Sequence, residues 1–336
     1  MWRRIEVWIT ETEGDMLQEQ TNVIDQVIQQ QYSIYHGDSA EIIKGIPGNS
    51  IDYMIYSPPF SSLYVYSSSS RDFGNCRGNE EFFAHYRFLS QELMRVLKPG
   101  RLMSIHCMLL PLLKSRDGHI GLYDFRGDLI RHHEADGMIF HSEVTIFKDP
   151  VAQMQRTKSL GLLYKQLRKD SAMSRQGIPD YLCTMRKPGV NPDPVTKDPD
   201  DFSLDLWQRY ASPVWMDINP SRTLQRTSAR DEKDERHIAP LQLDVIERGI
   251  RLWTNPGDVV LDPFMGLSST GYCAIQMGRR FVGIELKDSY YRQAESNLLE
   301  ASHGQALFAW AHEQEDTAED THRPPAGDDR DAAPRA

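Results

Sequence analysis

Two short stretches carry residue types suited to chemistry on a flat, polar ligand. Ser57-Pro58-Pro59-Phe60 closes the apolar run IDYMIY. The Ser57 hydroxyl can accept one hydrogen bond and the Pro58 carbonyl another. Proline fixes φ, and Pro59 also biases Pro58 toward extended geometry, so both acceptors are pre-positioned beside the Phe60 ring. In isolation SPPF also reads as a plain strand-terminating turn. The second stretch is VVLDPFMGLSSTGYCAIQMGRRFVGIEL, a strand, a loop of small residues, a helix, and a strand ending at Glu285. In a doubly wound sheet a ligand sits beyond the carboxyl ends of the strands, and an acid about 20 residues past the loop can hold ribose hydroxyls. Neither GxxxxGK[ST] nor GxGxxG is present; the loop has only Gly266 and Gly271. A glycine-poor loop beside Asp262 suits a nucleoside without a pyrophosphate, and an ordinary buried crossover is the plain alternative.

These loops need a frame, and the periodicities supply one. From Tyr32 the chain alternates strand-like and helix-like segments: YSIYHGD, SAEIIKGI, IDYMIY, EEFFAHYRFLSQELMRVL, RLMSIHCM, DFRGDLIRHHEAD and GMIFHSEVTIFKD. Residues 151–235 break the rhythm, turning basic and then rich in Pro and Asp. The alternation resumes over 236–300 with LQLDVIERGIRLW, VVLDPF, STGYCAIQMG, RFVGIEL and SYYRQAESNLLEAS. Residues 1–31, ending in DQVIQQQ, form an N-terminal extension predicted to be helical, and residues 301–336 an acidic tail predicted to be disordered. The fold class is α/β, a doubly wound, mostly parallel sheet in two parts, 32–150 and 236–300, with an inserted region between.

The chain has 336 residues and a net charge of −10, yet Val151–Val190 holds eight Lys/Arg against two acids. An acidic total is compatible with a basic groove. Four scattered cysteines without CxxC spacing argue against zinc or a disulfide framework and for a reducing cytoplasm. No apolar run reaches membrane-spanning length. His132-His133-Glu134 are adjacent positions on one helix and do not face one site, and His106-Cys107 reads as packing within a strand.

Taken together, the motifs resemble the β group of S-adenosylmethionine-dependent DNA amino-methyltransferases. Asp262-Pro263-Phe264-Met265-Gly266 resembles the family's DPFxG loop and Ser57-Pro58-Pro59-Phe60 its [DNS]PP[YFW] motif. HGDSAEIIKGIPGNSIDYMIYSPPF, ELMRVLKPGRLMSIH, SEVTIFKDP and RHIAPLQLDVIERGI match the intervening segments in order. Two departures stand out: Leu267 and Ser268 replace Ser and Gly of DPFxGSGTT, and Gln242 replaces a second proline. The resemblance implies a methyltransferase core with S-adenosyl-L-methionine as cofactor and no metal. It assigns Ser57, Pro58, Pro59 and Phe60 to catalysis. Asp38, Ser57, His237, Asp262, Pro263, Phe264, Gly266, Ser268, Thr270 and Glu285 go to the cofactor, Asp38 at its adenine end and Glu285 at its ribose. Asp38 also suits a helix N-cap.

The implied reaction is methylation of an exocyclic amine on a base flipped out of double-stranded DNA. Two acceptors on the amine protons free the nitrogen lone pair, and Phe60 offsets part of the unstacking cost. The recognition region would bind DNA through Arg156, Lys158, Lys165, Arg168, Lys169, Arg175, Arg186 and Lys187, with QRTKSLGLLYKQLRKDSAMSRQG as a basic helix. The family implies a homodimer in a bacterial or phage-infected cytoplasm. Serine at the first motif position favours cytosine N4, whereas members without a partner nuclease are commonly adenine N6 enzymes; the reading leans to adenine. RNA or free-base methylation, or a DNA-binding regulator on the same scaffold, are the rivals.

Overall fold

The computed structural model describes residues 23–60, 73–76, 78–112, 114–157, 159–224 and 240–320. Its first half contains β1 (Asp25–Ile28), β2 (Tyr32–His36), α1 (Ser39–Ile42), β3 (Ile51–Tyr56), α2 (Asn79–Val96), β4 (Leu97–Met108), β5 (Leu110–Leu112), α3 (Lys114–Asp117), β6 (Gly121–Tyr123) and α4 (Phe125–Ala135). There follow β7 (Ile139–Ile146), α5 (Pro150–Thr157), α6 (Tyr164–Leu167), β8 (Asp180–Arg186), α7 (Leu204–Tyr210), β9 (Val214–Trp215), α8 (Leu243–Trp253), β10 (Val259–Asp262), α9 (Ser269–Gln276), β11 (Arg280–Glu285) and α10 (Asp288–Asp320). Nine strands form one mixed, mostly parallel sheet in the order β1-β2-β11-β10-β3-β4-β8-β7-β9; β5 and β6 pair separately.

All six residues of β3 are buried, because helices cover both of its faces. One face packs against α2, whose Phe82, Tyr86, Leu89, Leu93 and Val96 recur at helical spacing and are all buried. Acids in its first turn and Arg95 in its last suit the helix dipole. The other face of the sheet takes α8, α9 and α10, through Ile246, Ile250, Ala274, Tyr291 and Leu298. At the amino ends of the strands, Asp52 locks three elements together. Its Oδ2 accepts the Val259 N–H at 2.9 Å, and its Oδ1 accepts Arg101 at 3.0 Å and Lys98 at 2.7 Å. Arg101, 2% exposed, also reaches Asp258 at 3.1 Å.

Several expectations are corrected. The stretch around Gln26 is an edge strand and not a helix: β1 runs antiparallel to β2, with Val27 opposite Ile34. Pairing with an open sheet edge here outweighs the helical propensity of the glutamines. The segment 151–235 is not wholly an insertion, because its β8 lies inside the sheet, antiparallel to both β4 and β7. The basic stretch after Gln155 is not one helix. It breaks into α5, α6 and two single 3-10 turns. The chain folds back where the Arg175 N–H meets the Gly161 carbonyl, and a Cβ at Gly161 would lie 3.0 Å from the Arg175 side chain. The predicted tail is helical as far as Asp320. Its Ala, Glu and Gln residues favour helix without any amphipathic stripe.

The turn from β10 into α9 shows how the sequence departs from the glycine-containing loop it resembles. Ser268 takes left-handed backbone angles, φ 64° and ψ 42°, where DPFxGSGTT has glycine. The turn survives the substitution, at a cost of roughly 1–2 kcal/mol for a residue bearing a Cβ. The Ser268 hydroxyl is also buried without a hydrogen-bond partner among the described residues, and a Cβ on Gly271 would fall 2.4 Å from it. Ser268→Gly should therefore raise stability by about 1 kcal/mol, read as a higher midpoint in thermal or urea unfolding. An unchanged or lower midpoint would contradict this account of the turn.

Candidate active site

The two motifs meet because β3 and β10 are parallel neighbours, with Tyr53 opposite Val260 and Met54 opposite Leu261. Ser57 and Asp262 therefore emerge at the same edge of the sheet. Three further bonds tie that rim together. Thr270 Oγ1 donates to the Ile55 carbonyl at 3.2 Å, the Gly37 N–H to the Glu285 carbonyl at 2.9 Å, and the Ser39 hydroxyl to the Pro263 carbonyl. A cavity of about 1140 Å³ opens there, lined by Asp38, Ser57–Phe60, Asp262–Leu267, Ser269, Thr270 and Glu285.

One half of the cavity is acidic and apolar. Asp38 caps α1, its carboxylate accepting the Ala40 N–H at 3.0 Å while still lining the cavity. Asp262 is 5% exposed; burial pushes its carboxyl up to about 7, opposed by the bond from the Phe264 N–H and by the nearby Thr270 hydroxyl, and reinforced by Glu285. Glu285 accepts the Gly266 N–H at 2.9 Å on one oxygen and the Lys287 N–H at 2.8 Å on the other. Gly266 has φ +52°, and no atom lies closer than 4.0 Å to where its Cβ would stand, so the loop backbone is open to a ligand. Three carboxylates beside Phe264, Ile284 and Tyr290 suit a ligand carrying positive charge, ribose hydroxyls and a flat base. They do not suit a pyrophosphate. Ser268 departs from its expected role, since its turn aims the hydroxyl into the core, and Ser269 and Thr270 line the cavity. His237 lies outside the described residues.

The other half holds Ser57, Pro58, Pro59 and Phe60. Phe60 packs at 6.1 Å from Phe125 and 6.0 Å from His106. Behind Ser57 stands a polar chain that the sequence reading missed. Ser57 Oγ is 3.0 Å from His106 Nδ1, His106 Nε2 is 3.1 Å from Asp180 Oδ2, and Lys148 Nζ donates to Asp180 Oδ1 at 2.6 Å. The His106–Asp180 approach is oblique, and Nε2 has no aligned acceptor among the described residues. Asp180 is 2% exposed; burial works to raise its pKa, but His106 and Lys148 together hold it below the usual carboxylate value. His106 was read as packing, whereas it stands at the carboxyl end of the strand next to β3. That position was the available signal. His132 and His133 serve the core: His133 is fully buried, meets the Tyr86 hydroxyl at 3.2 Å, and is driven by burial down to about 3.

The proposed DNA-contacting residues separate into groups. Arg175 lines the cavity and donates to Ser159 Oγ at 3.0 Å. Lys165, Arg168 and Lys169 are exposed on and just after α6. Arg186 and Lys187 lie at the opposite end of the sheet, where Lys187 Nζ donates to the Leu97 carbonyl at 2.6 Å and to Asn49 at 2.8 Å. Lys187 thus serves β4 and the turn before β3, Arg186 donates to the Gly189 carbonyl at 3.3 Å, and neither lines the cavity. Lys158 and the Arg156 side chain lie outside the described residues.

The DNA methylase family model N6_N4_Mtase matches residues 51–296. The DNA adenine methyltransferase YhdJ of Escherichia coli is 28% identical over 284 residues, which cover 81% of this chain and 84% of that protein. Type II methyltransferase M.BamHI of Bacillus amyloliquefaciens is 26% identical over 75% of this chain, which spans about half (54%) of that relative's length. Among solved structures, the Thermus thermophilus protein TTHA0409, complexed with S-adenosyl-L-methionine, matches over 81% of this chain and 96% of its own at TM-score 0.58 and 21% identity. The cytosine-N4-specific PvuII DNA methyltransferase covers 82% of this chain and 90% of its own at TM-score 0.59 and 18% identity. These two likenesses concern the fold. With the family model matched across most of the sheet and both motifs, the chain belongs to the N6/N4 DNA methylase family.

Proposed function

We propose that the protein transfers a methyl group from S-adenosyl-L-methionine to the exocyclic amine of a base extruded from duplex DNA, with adenine N6 as the target. The observation that carries this reading is the single cavity shared by residues 57–60 and 262–266. Bound S-adenosylmethionine supplies an electrophilic methyl on sulfur. Asp38, the loop 262–266 and Glu285 would hold it, as the acidic lining favours a cationic ligand. Glu285 would then exchange its backbone partners for ribose hydroxyls. On the other side, Ser57 Oγ and the Pro58 carbonyl accept the two amine protons, so the nitrogen lone pair leaves conjugation and turns toward the methyl. Phe60 offers a stacking face for the extruded base. Arg175, Lys165, Arg168 and Lys169 would take the phosphates, a sequence-independent contribution that weakens with salt.

Adenine is favoured by the likeness to YhdJ, which spans most of both chains. Cytosine N4 is the second reading, favoured by the serine at the first motif position. Digesting treated DNA to nucleosides and weighing the products separates them. N6-methyladenine is expected, N4-methylcytosine alone would replace the target, and methylated RNA with untouched duplex DNA would replace the substrate class. A homodimer acting in the cytoplasm completes the proposal. No described helix is long and apolar enough to cross a membrane, and sedimentation showing only monomer at working concentration would remove the dimer. Ser57→Ala should lower transfer by about 100-fold or more, a much larger loss than any in S-adenosylmethionine affinity. Glu285→Ala should lower that affinity by about tenfold, the worth of one charge-assisted hydrogen bond. Full DNA affinity with no transfer in the wild type would instead identify a non-catalytic regulator.

A further inference from the structure

The methylated nitrogen must shed a proton, and the cavity contains a path for it. We propose that His106 receives that proton through Ser57, with Asp180 and Lys148 as the groups that orient it. This rests on the methyltransferase reading above and adds a role for three residues that neither motif contains.

The geometry supplies the direction of transfer. Asp180 as a carboxylate is acceptor-only, so the His106 nitrogen facing it, Nε2, carries the hydrogen. Nδ1 is then a bare acceptor, 3.0 Å from Ser57 Oγ, and the Ser57 hydroxyl donates to it. The lone pairs of Oγ thereby point away from the imidazole and are free for an amine proton. As the N–C bond forms, the S–C electron pair leaves with sulfur, and the nitrogen becomes cationic. Ser57 Oγ takes one of its protons while releasing its own to Nδ1. The products are a neutral methylated amine, a neutral thioether and an imidazolium facing Asp180. The proton later returns to water through the cavity mouth. Lys148 Nζ straddles both Asp180 oxygens, 2.6 Å from Oδ1 and 2.5 Å from Oδ2, and so fixes the carboxylate that faces His106. The oblique His106–Asp180 contact can tighten when the ring becomes charged.

A Ser-His-Asp constellation also occurs in hydrolases, but this one is poorly made for acyl transfer. The residue after the serine is Pro58, which has no N–H to place in an oxyanion hole. The same proline leaves its carbonyl available as an acceptor, which suits an amine substrate.

Single-turnover methyl transfer to unmethylated genomic DNA tests the relay with two variants, each compared with wild type. His106→Asn keeps a hydrogen-bonding partner near Ser57 but has no basic nitrogen. His106→Gly opens a space that free imidazole can enter. Both should lose about 10²–10⁴-fold in rate, the usual contribution of positioned proton transfer, with S-adenosylmethionine affinity within about twofold of wild type. Added imidazole should restore His106→Gly at least about tenfold, and a more basic methylimidazole should restore it further. A role limited to holding Ser57 predicts a nearly active His106→Asn and no dependence on the base strength of the rescuer; either result overturns the relay. A wild-type protein that methylates nothing overturns the methyltransferase reading itself, and is recognised before any variant is compared.

Discussion

Everything at the rim depends on the parallel pairing of β3 with β10 in one register. Because side chains alternate along a strand, a slip of one residue would turn Tyr53 and Val260 to the wrong layers. It would also carry Ser57 out of line with Asp262. Asp52 holds the register from the far end, with one carboxylate oxygen on the Val259 N–H and the other on Arg101 and Lys98. A buried carboxylate shared by two cations and an amide is poorly replaced by any single partner. The site at the carboxyl ends is thus secured by an ionic clamp at the amino ends.

The cavity then divides by charge. Asp38, Asp262 and Glu285 outnumber Lys287 in one part, while in the other Lys148 and Arg175 stand with Asp149 and Asp180. A cationic methyl donor would meet the part where the acids prevail. The net charge of −10 says little about this arrangement, because what matters is which residues reach the rim. Phe60, packed between Phe125 and His106, sits on the seam where the two ligands would meet.

Most of the frame was legible in the residues themselves. The 3–4 spacing in α2, the apolar run of β3, and the strand-loop-helix-strand of β10 to β11 all lie where the pattern places them. Asp262, Gly266 and Glu285 were legible as neighbours because a parallel sheet fixes where its loops must end, and Asp38 only through the family resemblance. Residues whose partners come from distant strands were not legible. His106, Asp180 and Lys148 belong to β4, β8 and the end of β7, and nothing local says that these strands are adjacent. Within an apolar run His106 looks like core. Asp180 begins a strand masked by the Pro- and Lys-rich sequence around it, and this also hid the fact that Arg186 and Lys187 point to the opposite end. Ser268 was legible as a departure, but whether the turn would keep its left-handed residue depended on tertiary packing around Gly271.

The central claim is that the tip of β3 and the loop after β10 form one transfer site. A crystal structure of the protein soaked with S-adenosyl-L-methionine tests it most directly. The account predicts ribose hydroxyls on Glu285 and a sulfonium methyl directed at the space between Ser57 Oγ and the Pro58 carbonyl. A donor bound with its methyl turned away from Ser57, or seated outside this cavity, would contradict it.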